Sequence, residues 1–216
     1  MHEENSSFPS ANPTITAIKT GASGESVQIR LSDSSSFFVP PETLAELGLA
    51  RDMEITEELR TGLERAAEHF AAKRKTLELL ARREHSRYEL RVKLQKRGFA
   101  AEVVEAVLAR MSELDIVNDL RFAETWIHAR FARKAEGRIK LKSALIRKGV
   151  SPGVAERVLG EFFTPEVQRR NIEKATEKAL AGCGGDQDKF VRMLKNRGFS
   201  WKEIKKHSIF KFIEYY

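Results

Sequence analysis

Leu94-Gln95-Lys96-Arg97-Gly98, followed by Phe99, returns as Leu145-Ile146-Arg147-Lys148-Gly149 before Val150 and as Leu194-Lys195-Asn196-Arg197-Gly198 before Phe199. The glycines stand about 50 residues apart, the period of a stacked helical array whose units cannot bury their apolar faces alone. Each glycine suits the position just past a helix end, where a left-handed backbone carries no side-chain penalty. Phe99, Val150 and Phe199 can then fold back onto Leu94, Leu145 and Leu194. Further upstream, Leu90, Leu141 and Phe190 lie one helical turn before those leucines and extend one buried face. Ser86, Gly137 and Asp186 occupy the matching starts, and Ser86 with Glu89 spells a capping box.

A shorter helix is expected after each glycine. Ser151-Pro152 reads as a cap followed by proline in the first turn, and Ser200 with Glu203 as another capping box. Val103, Val104, Val107 and Leu108 have counterparts in Val154, Ala155, Val158 and Leu159, whereas the third copy keeps Ile204 but carries His207 and Ser208. A longer helix opens each copy. Residues 56–85 open the first, Phe122, Ala123, Trp126, Ile127, Ala129 and Phe131 mark the second, and Thr164-Pro165 starts the third, which ends at Gly182-Cys183-Gly184-Gly185. The expected fold is mainly α, with three tandem three-helix repeats forming an elongated curved array.

The beginning of the chain reads differently. Val27, Ile29 and Leu31 alternate with Gln28 and Arg30, the period of a half-buried strand, with Ile15–Thr20 and Phe37–Val39 as partners. A small antiparallel β ribbon is expected there, leaning on the helix after Pro41, because three short strands need outside packing. The resulting division is a disordered stretch at 1–13, ribbon with short helix at 14–55, and repeats at 56–117, 118–163 and 164–216.

One cysteine excludes a disulfide framework, and no apolar run suits a membrane span or secretory signal, so a cytoplasmic protein is expected. Charge is uneven. Residues 1–70 carry five Lys/Arg against twelve Asp/Glu, while residues 71–216 carry 33 against 19. A field of that kind attracts polyanions or acidic protein surfaces and weakens with salt. Enzymatic chemistry finds no support. The five histidines lack metal-ligand spacing, Gly184-Gly185 is not followed by the Lys-Ser or Lys-Thr of a nucleotide loop, and no hydrolase elbow is present. No catalytic residue, cofactor or metal is expected.

The Leu-x-x-Arg-Gly-Phe repeats, Arg83-Glu84-His85-Ser86-Arg87-Tyr88-Glu89-Leu90 and Asp119-Leu120-Arg121-Phe122-Ala123 resemble the RecX family of bacterial regulators of the RecA recombinase. The resemblance spans about residues 14–207 and departs from the family pattern after Ile204. It implies a cytoplasmic protein of three tandem three-helix repeats that binds the RecA filament on DNA and restrains strand exchange and co-protease activity. Such a protein lies along the filament groove or blocks filament growth. A monomer is expected, since three units with end caps need no partner to fold.

The residues expected to carry binding are Arg82, Arg83, Arg87 and Arg91 of the first repeat and Arg138, Lys142, Arg147 and Lys148 of the second. They would pair with carboxylates of the recombinase or phosphates of its DNA. Lys148, like Arg97, has the alternative of capping a helix end. Trp201 beside the Ser200 cap is an interface-anchor candidate. Asp119 is expected to satisfy free amides at a helix start, with partner contact as the alternative. The competing class is a helix-turn-helix DNA reader or transcription regulator, yet the helices after the glycines begin Ala100-Ala101-Glu102-Val103 and Pro152-Gly153-Val154, poor in base-reading side chains. Weak, non-specific DNA binding is expected alongside the protein partner.

Overall fold

The structure, a computed structural model, describes residues 12–215. Of the stretch expected to be disordered, residues 1–11 lie outside the described residues, while Pro13 is anchored through its carbonyl to the Ile55 amide at 2.8 Å. The chain divides into two compact units, one comprising the residues up to Glu78 with Leu94–Ala109, the other Leu79–Lys93 with Arg110 onward.

In the first unit, β1 (Ile15–Thr20), β2 (Val27–Leu31) and β3 (Ser36–Val39) form an antiparallel meander in the order β1-β2-β3. Alternation places Val27, Ile29 and Leu31 on one buried face with Ile15 and Val39. Helix α1 (Glu42–Glu46) follows Pro41 as expected, but most of the support comes from α2 (Glu57–Leu80). Leu63 of α2 is fully buried in the ribbon core, with Leu59, Ala66 and Ala67 packed beside it. Arg60 ties α2 to the β2–β3 turn through the Asp33 carboxylate at 2.7 Å. Hydrogen bonds from Arg60 and Ser35 hold that carboxyl down at about 2. Helix α2 stops at Leu80 rather than His85, because Glu84 and His85 leave it to reach Arg121 and Glu89.

Helices α3 (Arg87–Gln95) and α4 (Ala101–Glu113) complete the first repeat. Repeat two is α5 (Asp119–Arg133), α6 (Arg138–Arg147) and α7 (Pro152–Phe162). Repeat three is α8 (Pro165–Cys183), α9 (Gln187–Asn196) and α10 (Trp201–His207), followed by an unforeseen α11 (Ile209–Tyr215). In the second unit the latter two repeats each close their own core: Phe122, Ile127, Leu141, Leu145 and Leu159 in one, Ile172, Ala179, Phe190, Leu194 and Ile204 in the other. The expected core residues Trp126 and Phe131 are half-buried, and Ala129 is exposed. Ser208, which replaces an apolar residue of the other copies, is fully buried and shares a 2.7 Å hydrogen bond with Thr176. Helix α11 then brings Phe212 against Phe190, with ring centroids 5.0 Å apart.

Most caps fall where local chemistry places them. Asn118, Ser151, Thr164, Asp186 and Ser200 all accept backbone amides of the helices they start, and Ser200 with Glu203 forms a complete capping box. At each repeat glycine the backbone is left-handed, with φ of +88° at Gly98, +83° at Gly149 and +88° at Gly198. The glycine amide returns to the carbonyl three residues back, and the next amide to Leu94, Leu145 or Leu194 at 3.4, 3.1 and 3.3 Å. This paired pattern is the Schellman ending of a helix.

Two of these endings are also joints between repeats within the second unit. The Lys148 carbonyl, just before Gly149, accepts the Ser86 hydroxyl at 2.6 Å. The Arg197 carbonyl, just before Gly198, accepts the Gly137 amide at 2.8 Å. Contact is close enough that a Cβ on Gly149 would overlap Tyr88, and one on Gly198 would overlap Lys140. A Cβ on Gly98 meets nothing within 4 Å. Gly98→Ala should therefore cost only the left-handed backbone, about 1–2 kcal/mol. Gly149→Ala and Gly198→Ala should cost clearly more, because the preceding repeat must move. Chemical denaturation of the three variants checks this, and equal losses would remove the joint from the explanation.

Candidate partner-binding surface

The structure separates the candidate cations by use. Lys148 caps α6 and turns its ammonium onto the Glu89 carboxylate of α3, while lying 5.9 Å from the ring centres of both Phe122 and Trp126. Arg83 reaches the same carboxylate at 3.0 Å, as does His85 Nδ1. Burial works against the Glu89 charge, but hydrogen bonds from Lys148 and His85 and the Lys148 and Arg83 charges outweigh it, so its pKa lies below the usual 4.5. Burial dominates at His85 and pushes its pKa down, which favours the neutral ring. Lys148 thus sits in the joint between the first two repeats.

Arg138 and Lys142, one turn apart on α6 as expected, both engage Glu156 of α7, Lys142 at 2.7 Å. Their hydrogen bonds lower the Glu156 pKa. Arg87 and Arg91 are half-buried on α3, and neither is free. Arg82 and Arg147 are exposed and form no ion pair among the described residues. Trp201 is 50% exposed, with Lys195 Nζ 5.6 Å from its ring centre.

Asp119 does satisfy a helix-start amide, although not its own. Asn118 caps α5, and the Asp119 carboxylate accepts the Arg87 amide at the start of α3, at 2.8 Å. Beside it Arg121 reaches back to Glu84 at 2.7 Å and donates to the Ile116 carbonyl at 2.9 Å. Pairwise residue patterns did not reveal this network; the one local hint was the Ser86–Glu89 capping pattern. Ser86 does accept the Glu89 amide at 3.0 Å. The second joint has a carboxylate of its own: Glu136 is nearly buried and bound by both Arg130 Nε and Nη2, at 2.7 and 3.1 Å. Burial alone would raise its pKa, but Arg130 and the Lys140 and Lys134 charges bring it below the usual value.

No group of three or more His, Cys, Asp or Glu among the described residues could hold a metal. No described helix is long and apolar enough to cross a membrane. Within the second unit the geometry offers helical modules joined at Ser86–Lys148 and Gly137–Arg197, with cations on the surface.

Residues 72–111 match the RecX first three-helix domain and residues 118–159 the RecX second three-helix domain. The regulatory protein RecX of Chlorobaculum tepidum is 36% identical over 129 residues, covering 60% of this chain and 81% of that one. The chain belongs to the RecX family. RecX of Chlorobium limicola is 38% identical over 133 residues, covering 60% and 82% of the two chains. RecX of Streptococcus sanguinis is 26% identical over 179 residues, covering 82% and 69%. A crystal structure of regulatory protein RecX shares the fold at a TM-score of 0.75 and 20% identity, covering 89% of this chain and 97% of that one. RecX from Lactobacillus salivarius does so at 0.58 and 22%, covering 68% and 95%. RecX is a family of regulatory proteins, and the Asp119–Ala123 and Arg83–Leu90 stretches that carry the resemblance are those that build the first joint.

A carboxylate whose pKa is lowered on folding stabilises the fold above its unfolded pKa and loses that contribution as pH falls through its folded one. Glu89 should therefore support the first joint at neutral pH and release it below about 4.5. Glu89→Gln should cost about 2 kcal/mol at pH 7, and the gap to the unmodified protein should close as the solution is acidified. Thermal melts across that range measure it, and a gap independent of pH would assign Glu89 a packing role only.

Proposed function

We propose that the protein binds the RecA recombinase filament on DNA and restrains its strand-exchange and co-protease activities in DNA repair and the SOS response. Membership of the RecX family carries this reading. The repeats at 56–117, 118–163 and 164–216 act as successive contact modules of a cytoplasmic monomer. Successive modules on one chain can touch neighbouring subunits of a helical polymer, so that several modest contacts combine through effective concentration. The excess of cations beyond residue 70 favours the approach to an acidic filament and weak, sequence-independent attachment to its DNA.

Among the candidate residues, Arg82 and Arg147 are the ones whose charge remains open to a partner. Arg87, Arg91, Arg138 and Lys142 take part as secondary contacts, because each is already engaged within the chain. Arg83 and Lys148 shape the surface through Glu89. Trp201 is an exposed anchor.

Recombinase ATPase and filament length, measured against added protein, test the proposal. Both should fall, and unchanged values at saturating protein in low salt would overturn it. Combined Arg82→Glu and Arg147→Glu should weaken inhibition by about tenfold, without changing the thermal midpoint. Full inhibition by that variant would move the contact surface elsewhere.

A further inference from the structure

In the first unit the order β1-β2-β3 leaves β3 as an outer strand. The Gly21 amide donates to the Ser26 carbonyl at 2.7 Å and the Leu31 amide to the Ser35 carbonyl at 2.9 Å, which fixes the alternation of both ladders. Phe37 and Val39 therefore turn their amides and carbonyls towards β2, and Ser36 and Phe38 turn theirs outward. Those outward backbone groups receive no hydrogen bond among the described residues. An open strand edge is a template for pairing with another chain, and proteins usually blunt it with charge, proline or a bulge. Ser36-Phe37-Phe38-Val39 carries no charge and no proline, keeps a regular register, and leaves Phe38 50% exposed.

Beside this edge β3 and α2 form an open groove of about 550 Å³, lined by Phe37, Phe38, Phe70, Ala71 and Phe99. A second groove of about 400 Å³ shares Phe70 and Arg74 with it and adds Pro40 and Leu77. Most charges around the first groove are already engaged. Glu78 is held by Lys75 at 2.6 Å, Glu68 accepts the Ala100 amide at 2.6 Å, and Arg97 is not free. Glu25 and Glu42 stand only at the Pro40–Pro41 end. Arg74 lines both grooves, is exposed, lies 6.0 Å from the Phe70 ring centre and forms no ion pair among the described residues.

We propose that this edge binds an extended peptide segment of a partner protein, which adds a strand to β3, sets apolar side chains into the groove and places a carboxylate on Arg74. Outward amides and carbonyls at every second residue of β3 call for a strand, whose side chains then alternate between the groove and solvent. The aromatic lining calls for apolar side chains on the groove side. The guanidinium of Arg74 calls for a carboxylate, its bidentate partner. A second copy of the chain suits the edge less well. Pairing β3 with itself brings no carboxylate to Arg74, because Ser36–Val39 has none and the nearby Asp33 is bound by Arg60 at 2.7 Å. The site uses none of the residues assigned above to the filament and stands independently of that reading.

A pool of labelled peptides of about ten residues, screened against the full chain, tests the site. The peptides carry valine or phenylalanine at alternate positions and serine, lysine or glutamate elsewhere. Members with glutamate should be selected, and the best of them should slow hydrogen exchange at the Phe38 amide. N-methylation of every second amide of that peptide should abolish binding in one register and be tolerated in the other, since only alternate amides face β3. Arg74→Glu should weaken binding about tenfold or more, and lysine in place of the peptide's glutamate should recover it on that variant. Arg65→Glu, exposed on α2 outside both grooves, makes the same change of charge and should leave affinity within about twofold. Matching thermal midpoints exclude unfolding. An empty selection, or binding that survives N-methylation in both registers, would overturn the proposal. Equal losses from the two arginine variants would reduce the attraction to net charge and overturn it as well. Self-association of the chain that Phe38→Lys abolishes would give the edge to a second copy instead.

Discussion

A carbonyl at the end of one helix accepts a hydrogen bond from the start of the equivalent helix in the preceding repeat, and the register of the second unit depends on it. Helix ends leave carbonyls without partners inside the helix. The Schellman ending satisfies some of them locally, and at Lys148 and Arg197 the next carbonyl is used for the joint. The donors differ in kind. Ser86 uses its hydroxyl and Gly137 its backbone amide, because the Gly198 carbonyl occupies the space that a Cβ on residue 137 would need. One such bond is worth only about 1 kcal/mol net, but an unmet partner in a close-packed joint costs more, so a displaced register is penalised twice. Glycine at the helix end is therefore required at Gly149 and Gly198 both by the backbone and by the neighbour.

Electrostatics follows from the same joints. Each contains a carboxylate turned inward, Glu89 or Glu136, in a chain with a large excess of cations. A charge placed there persists only with several hydrogen bonds. Glu89 has Lys148, Arg83 and His85, and Glu136 has both arms of Arg130. Trp126 lies near both sets of cations, with Arg130 5.5 Å and Lys148 5.9 Å from its ring centre. Part of the positive charge visible in composition is thus paired within the chain, and the part available to a partner is smaller than a count suggests.

Sequence periodicity revealed those features whose cause is local. The left-handed glycines, the buried Leu90, Leu141 and Phe190 rows, the Ser151, Thr164 and Ser200 caps and the alternation of β2 all arise from neighbours within a turn or a strand. What escaped is tertiary in origin. Ser208 reads as a broken apolar position until Thr176, far away in sequence, supplies its hydrogen bond. Asp119 reads as its own helix's cap until α3 offers a free amide. Helix α2 reads as the opener of a repeat, although its first turns close the ribbon core through Leu63. Lys148 and Arg147 are neighbours of like charge, yet one faces Glu89 and the other solvent. Only the direction of each side chain separates a joint from a surface.

That distinction bears on what the family resemblance means. In Asp119-Leu120-Arg121-Phe122-Ala123, Asp119 and Arg121 bind the preceding repeat while Phe122 and Ala123 fill a core. In Arg83–Leu90, Glu84, Ser86 and Glu89 face the same joint. These stretches therefore specify how one module is attached to the next, and a chain that carries them inherits the architecture. In the function we propose, recognition of a partner falls to side chains that the joints leave unconstrained. Arg82, Arg147, Lys202 and Lys206 are exposed, so nothing in the packing fixes their identity. Two chains can share every joint and still differ at these exposed positions, because the residues that set the register are not the ones left open to solvent.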